Sequence, residues 1–425
     1  MKKATIFAIN DSASFRLKML NWSKQFNIFC LLDNNGYHFD VPQFDSLLAV
    51  GCKAMLEANA GEAFEALKEF SNQHMDWLFG HLAYDLKNET ALLQSGNFDG
   101  IGFKDIHFFV PETVLQLTAQ TLIIFSEGNA NLLFDEIISG EEYKEVAGDI
   151  VTIQNRFSQA DYIESIQKIQ QHILRGDCYE LNFCQEFYSS GNEIHPMTVY
   201  QKLIHLSPSP FAALYKAGER YCICASPERY FKKLGDKIIT QPIKGTARRC
   251  IADEAIDEEN KRQLLNSEKE RAENVMVVDL VRNDLSKIGK KGTVKVDELF
   301  GIYSFPQVHQ LISTISTTLE DGLDWTDIVK ATFPMGSMTG APKLRVMQLT
   351  EQYERTKRGL FSGAIGYVNP QGDCDFNVVI RSILYNASTK YLSFQTGSAI
   401  TFYSDPLKEY EECLLKAAAT KKVLE

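Results

Sequence analysis

No two cysteines in this chain have CxxC spacing; the closest, Cys222 and Cys224, have one residue between them. The cysteines number nine, an odd count without a ladder of spacings, in a chain long enough to bury a real core. That excludes a disulfide scaffold and predicts reduced thiols. Also missing is any uncharged apolar run long enough to cross a bilayer. The N-terminal stretch begins like a signal peptide but stops after six apolar-type residues, Ala4 to Ile9, at Asn10-Asp11. A soluble, cytoplasmic protein with no membrane partner is expected. Basic charge is in deficit, with 44 Lys and Arg against 55 Asp and Glu, a net charge of −11. Nucleic acid is therefore an unsuitable partner, since phosphate binding needs clustered Lys and Arg. Any anionic ligand must be held by local features that overcome a repulsive average field. There are no internal repeats and no low-complexity linker. What remains is ordinary globular composition, 44% apolar and 23% charged. Its 425 residues correspond, at about 150 per domain, to two or three domains or one large two-lobed one.

The pattern changes character near residue 140. Before it come short strand-like runs, Phe26–Leu32, Trp77–Tyr84, Ile106–Val110, Val114–Thr118 and Thr121–Phe125, with a helix expected over Glu62–Phe70. Gly140-Glu141-Glu142 and the polar residues to Asn155 read as a connector between an N-terminal lobe, 1–145, and a catalytic region, 155–425. Ser158-Gln159-Ala160-Asp161 predicts a helix cap, and Ile163, Ile166, Ile169 and Ile173 share one face until Arg175-Gly176. Tyr179–Phe187 then alternates: Glu180, Asn182, Cys184 and Glu186 take one side, Tyr179, Leu181, Phe183 and Phe187 the other. Gly363–Val368, Phe376–Tyr385 and Tyr391–Thr396 read as an antiparallel meander. Helices are expected at 254–288, 342–355 and 405–423. The fold class is α+β, two lobes of antiparallel sheet flanked by helices.

Glu270 and Glu273 are three apart and share a helical face that runs into Val277 and Leu280. Glu409 and Glu412 repeat the device, with Lys416 one turn further on. A glutamate pair is more often a solvated surface; two pairs set against buried stripes, without His or Cys, suit Mg²⁺. Thr339-Gly340-Ala341-Pro342 reads as a helix start whose backbone N–H groups face an anion. Arg381 falls mid-strand, where a surface pair is the ordinary expectation, and Gly397 follows the last strand as a turn glycine. Together these would suit a small carboxylate-bearing substrate. Lys244, in Pro242-Ile243-Lys244-Gly245-Thr246, is ordinarily an exposed turn; beside a cationic metal its pKa would fall and its amine could act as a nucleophile. Glu228, in Ser226-Pro227-Glu228-Arg229-Tyr230, is a candidate general acid.

These residues resemble a known family. Pro242-Ile243-Lys244-Gly245-Thr246, Ala272-Glu273-Asn274, Val278-Asp279-Leu280-Val281-Arg282-Asn283-Asp284-Leu285, Gly336-Ser337-Met338-Thr339-Gly340-Ala341-Pro342-Lys343, Ile380-Arg381-Ser382 and Ser404-Asp405-Pro406 to Glu412 are similar, in the same order, to the chorismate-utilising enzymes. The resemblance runs from about 158 to 420, with a looser match around Trp77–Glu89. It implies the family's two-sheet fold, chorismate as substrate and Mg²⁺ as cofactor. Glu273 and Glu412 would be direct metal ligands, with Glu270 and Glu409 acting through waters. Arg381, Tyr367, Gly397 and Lys416 would hold the substrate carboxylates, next to Thr339 and Gly340. Within the family, lysine at 244 implies the aminodeoxychorismate branch, where its amine adds to C2 while Glu228 protonates the departing C4 hydroxyl. Ammonia then adds at C4 and expels the lysine. Anthranilate synthase, with alanine at that position, is the runner-up.

Two positions differ. The family histidine falls on Gln310, beside His309, so a neutral amide must serve there and His309 is not counted as catalytic. The lysine with which isochorismate and salicylate synthases activate water is Glu180 here, which argues against hydration at C2. No glycine-flanked cysteine elbow of a glutaminase is present, so free ammonia or a separate glutamine amidotransferase subunit is expected.

Overall fold

The computed structural model describes residues 2–37 and 44–425. Two antiparallel sheets carry the fold, one of twelve strands and one of ten. Three apolar clusters define the layers. One, with Phe183, Phe187, Ile166, Ile169 and Phe394, lies between the twelve-stranded sheet and its helices. A second, with Phe231, Phe376, Val277, Leu285 and Ile328, lies between the ten-stranded sheet and the helices on its outer face. The third, with Phe79, Phe109, Tyr215, Ile365 and Leu384, fills the space between the sheets. The order is therefore helices, sheet, sheet, helices.

Strand alternation decides which layer each residue enters. In Glu180–Ser190, Leu181, Phe183 and Phe187 face the helices and Cys184 faces the other sheet. The cap at Ser158 forms, its side chain accepting from Asp161 N–H at 3.2 Å, and the helix Gln159–Leu174 buries Tyr162, Ile166 and Ile169. The helix predicted over Glu62–Phe70 spans Ala63–Gln73. Strands from before residue 145 enter both sheets: Ile28–Asp33 pairs with Phe211–Ala217, and Leu78–Leu82 with Ala364–Val368. The connector therefore does not separate one sheet from the other.

Two expectations are corrected. The run 254–288 is two helices, Glu254–Asn266 and Glu268–Ser286, because Ser267 is extended at φ −67°, ψ 112°. It closes the first and caps the second, accepting from Glu270 N–H. Phe376–Tyr385 is not one strand of a meander either. Cys374–Asn377 belongs to the ten-stranded sheet and Ser382–Asn386 to the twelve-stranded one, with 378–381 crossing between them. Apolar periodicity reports a strand but not a change of sheet. All nine cysteines are free thiols. Among the described residues no helix is long and apolar enough to cross a membrane.

Candidate active site

The chain passes between the sheets twice at neighbouring places. Ser226-Pro227-Glu228 leaves strand Arg220–Ser226 for strand Arg229–Leu234, and 378–381 makes the reverse passage. The two are laced together by Val378 N–H to Glu228 O at 3.0 Å and Ala225 N–H to Arg381 O at 3.1 Å. Glu228 and Arg381 are thus placed side by side by strand switching, Arg381 with φ +49°. That corrects the expectation of a mid-strand arginine with a surface partner. Arg381 keeps solvent-accessible surface, yet desolvation by the protein packed around it lowers its pKa. Gln310 and Arg381 line the same cleft, and the Gln310 Oε1 is buried without a hydrogen-bond partner. His309 points elsewhere, to Asp257 at 3.2 Å and Ser304 at 2.8 Å.

Lys244 owes its direction to a bulge, not a turn. Strands Lys237–Gln241 and Ile243–Arg248 follow one another along Val308–Thr318, and the register slips between Ile243 and Thr246. Such an extra residue re-aims a side chain, and Gly245, at φ +93°, supplies the left-handed backbone beside it. Lys244 reaches from the edge strand of one sheet to strand Glu180–Ser190 of the other, donating to Glu180 Oε1 at 3.1 Å and Asn182 Oδ1 at 3.3 Å. Its side chain is only 12% exposed. Asn182 in turn donates to Ser337 O at 2.8 Å, and the buried Glu228 carboxyl faces the Ser337 side chain and Lys244.

The electrostatics of this pocket are coupled. Burial pushes Glu228 up to about 7, against the Ser337 hydrogen bond and the Lys244 charge. Burial alone would lower Lys244, but Glu180, Glu273 and Glu228 outweigh it and hold the ammonium above the ordinary lysine value. The expected fall in its pKa, which presumed a neighbouring cation, is therefore reversed in the protein alone: these carboxylates favour the charged amine.

The four candidate metal ligands surround one lysine. Glu273, Glu409, Glu270 and Glu412 all act on Lys269. Burial first, then Glu180 and Glu270, push Glu273 up to about 7. The cluster is not closed, however. Glu409 is buried and accepts from Ser398 Oγ, whereas Glu412 is exposed and paired with Lys416 at 2.8 Å. Glu270 lies against Gly245, where an added Cβ would stand 2.9 Å from its Oε2. Among the described residues no three His, Cys, Asp or Glu side chains are grouped closely enough to hold an ion.

The remaining predicted residues divide. Gly340 and Ala341 are not a free helix start: they form a two-residue strand against Glu180–Leu181, and the helix opens later, at Lys343. Gly340 has φ +149°, and a Cβ there would lie 2.2 Å from Glu180 O, so the close approach demands glycine. Thr339 is fully buried, its hydroxyl on Met335 O and Gly336 O. Gly397 is not a turn: it lies inside Tyr391–Ile400 opposite Cys184, and its carbonyl accepts from Lys416 at 3.0 Å. Tyr367 is brought to a different place. It packs between the sheets against Trp77, Phe79 and Phe44, because alternation in Ala364–Val368 turns it to that face. Unsingled by sequence reasoning were Asn182, Ser337 and the buried Arg358, which donates to Asn182 O at 2.8 Å and Met338 O at 2.7 Å while paired to Glu354. The placement of Glu180 and Asn182 on one strand face was the available signal for Asn182; nothing local marks Arg358.

The family model for chorismate binding enzymes matches residues 28–422. The chain belongs to this family. Among curated relatives of this chorismate-binding enzyme, aminodeoxychorismate synthase component 1 of Bacillus subtilis is 33% identical over 365 residues, 81% of this chain and 76% of the relative. Anthranilate synthase component 1 of Aquifex aeolicus is 31% identical over 391 residues, 85% and 78% of the two chains. The crystal structure of anthranilate synthase component I from Streptococcus pneumoniae superposes with a TM-score of 0.78 at 24% identity, covering 91% of this chain and 93% of that one. At that identity it speaks for the fold, the α+β two-sheet arrangement. This chain carries a buried lysine, Lys244, interacting by charge with a buried carboxyl, Glu228.

Proposed function

We propose that the protein is an aminodeoxychorismate synthase component I, converting chorismate and ammonia to 4-amino-4-deoxychorismate. The observation that carries this reading is Lys244, buried beside a bulge within reach of the Glu228 carboxyl's charge. In the first step Lys244, having given up a proton, forms a bond from Nζ to C2 of the ring. Both ring double bonds shift in turn, the C4–O bond breaks, and Glu228, present as the acid, protonates the departing oxygen to water. Ammonia next adds at C4, both double bonds shift back, and the C2–N bond breaks, returning its electron pair to Lys244. The Glu228 carboxylate takes the proton lost by the added nitrogen, so water leaves and ammonia enters overall. Asn182 and Glu180 orient the amine, and Arg381 with Gln310 would meet a carboxylate and an oxygen of the ring.

The donor set fits a hard divalent ion: four carboxylates, no sulfur or imidazole, around a buried glutamate already short of counter-charge. Glu273 and Glu412 would hold Mg²⁺ directly, with Glu270 and Glu409 through waters, and Lys416 would release Glu412 and join Gly397 at the substrate. When bound, the ion supplies positive charge for a substrate carboxylate. The ammonia would come from glutamine through a separate amidotransferase subunit in the cytoplasm.

Anthranilate synthase is the second reading, favoured by the Aquifex relative's name. Chorismate, Mg²⁺ and ammonium incubated with the protein discriminate between them. The expected result is 4-aminobenzoate only after a 4-amino-4-deoxychorismate lyase is added; anthranilate formed without a second enzyme would replace this reading with the other.

A further inference from the structure

The side chain of Arg358 is 1% exposed and paired with Glu354, which is 6% exposed. Removing two such charges from water costs more than their attraction returns unless the geometry is good and the remaining donors and acceptors are used. Here they are used. The guanidinium gives Nε to Glu354 Oε2 at 3.0 Å and Nη2 to Oε1 at 2.6 Å, and Oε1 also accepts from the Cys184 N–H at 3.0 Å. Its other hydrogen bonds go to carbonyls, from Nη2 to Asn182 O and from Nη1 to Met338 O. The Tyr84 ring centre lies 4.5 Å from Cζ, under the cation. The next residue is held as well: Gly359 N–H donates to Asp85 at 3.0 Å, and Gly359 O accepts from Tyr84 N–H at 2.7 Å. The stretch Trp77–Glu89 thus supports the arginine from the N-terminal part of the chain.

The two carbonyls belong to the chain segments that meet at the reacting groups. Asn182 lies on strand Glu180–Ser190, where Glu180 and Asn182 accept from Lys244. Met338 stands between Ser337, which faces Glu228, and Thr339, whose carbonyl accepts from the Asn182 N–H at 2.9 Å. Asn182 also donates its side-chain amide to Ser337 O, which turns its Oδ1 to Lys244. A planar fork that reaches both segments fixes their separation, as a point-charge ammonium cannot. We propose that Arg358, aligned by Glu354 and Tyr84, is a positioning residue for the amination, setting the spacing of Lys244 and Glu228 through Asn182 and Ser337. The inference rests on the reaction proposed above, in which that nucleophile and that acid act on one ring in one step.

The test is a double-mutant cycle between Arg358→Lys and Asn182→Ala, with chorismate, Mg²⁺ and saturating ammonium, rates being taken per mole of folded protein. R358K keeps a cation beside Glu354 and loses the fork. Each single change is expected to lower kcat by about 10- to 100-fold, as a misplacement of about an ångström does, with the chorismate KM within about twofold of wild type. The double variant should match the slower single within about twofold, because both changes remove the same alignment. An arginine that served stability alone would leave the two losses independent. Losses that multiply, or an R358K kcat equal to that of wild type, would therefore overturn the proposal. Should R358K not fold, Tyr84→Leu takes its place in the cycle, removing only the ring under the guanidinium. Its expected loss in kcat is about threefold, absent in the N182A background; a loss that persists there, or none at all, would also overturn the proposal. Wild-type protein that forms no 4-amino product from chorismate and ammonium would overturn the functional reading and this inference together, whereas multiplying losses in a protein that forms it overturn the inference alone.

Discussion

The pocket around Lys244 and the cluster of four glutamates lie close enough to share charges, yet they are built differently. Lys244, Glu180, Asn182, Glu228 and Ser337 are locked by sheet edges, a bulge and a strand switch, each held by at least one named partner. Glu270, Glu273, Glu409 and Glu412 project from two helices, and three of them have a local partner: Lys269 for Glu273, Ser398 for Glu409 and Lys416 for Glu412. Like charges within a few ångströms cannot all ionise together without a cation. The residues proposed for bond making are thus fixed by backbone pairing, while those proposed to hold an ion stand apart on two helices.

The largest expected effect breaks the first region. Lys244→Ala should lower C4 amination by about 10³-fold or more, as loss of a nucleophile does, with thermal unfolding shifted little because the site edge keeps its backbone pairs. Amination at the wild-type rate would remove the covalent route. Glu228→Gln comes next, about 10²-fold in kcat at neutral pH, with the chorismate KM nearly unchanged.

A smaller effect tests the second region. Chelation with EDTA should abolish turnover, and titration with Mg²⁺ should restore it. Glu273→Gln should then require at least tenfold more Mg²⁺ for half-maximal rate, and Glu270→Gln less than that, since outer ligands typically tune affinity by about 10–100-fold at most. Equal effects from both would mean that the four acids contribute alike and the inner and outer roles are misassigned.

How far the sequence discloses this follows the same division. Residue types and order marked Lys244, Glu228 and the two glutamate pairs as candidates, because those motifs are local, and the structure brings Lys244, Glu228 and Glu273 within reach of one another's charge. The two-sheet α+β fold was legible from strand-like runs and turn residues. Spacing does not say which sheet a strand enters. Arg381 therefore read as mid-strand when it stands at a passage between sheets. Tyr367, four residues beyond Gly363 in the same run, read as a substrate contact but is turned into the aromatic layer. Thr339-Gly340 read as a helix start because proline after glycine is a helix signal; a neighbouring strand at Glu180–Leu181 claimed those residues instead. Arg358 was invisible because its role, tying Asn182 to Met338, exists only after folding.

The smallest effect at neutral pH is also the sharpest test of the coupled pocket. Reaction needs Lys244 without its proton and Glu228 with one, yet Lys244 is held above the ordinary lysine value and Glu228 lies at about 7. Below pH 7 both are protonated, so kcat/KM should rise with pH as the amine is freed. Between pH 7 and the Lys244 pKa one proton is shared by the pair, the productive arrangement is a fixed small fraction, and the profile should be flat. In Glu228→Gln no acid is lost above pH 7, so the rate should keep climbing about tenfold per unit. The wild-type advantage should therefore shrink by that factor per unit from pH 7 to 9, measured at constant concentration of neutral ammonia. Parallel profiles for the two proteins would mean that Glu228 does not titrate in the free enzyme, and the acid would have to be sought elsewhere in the cleft.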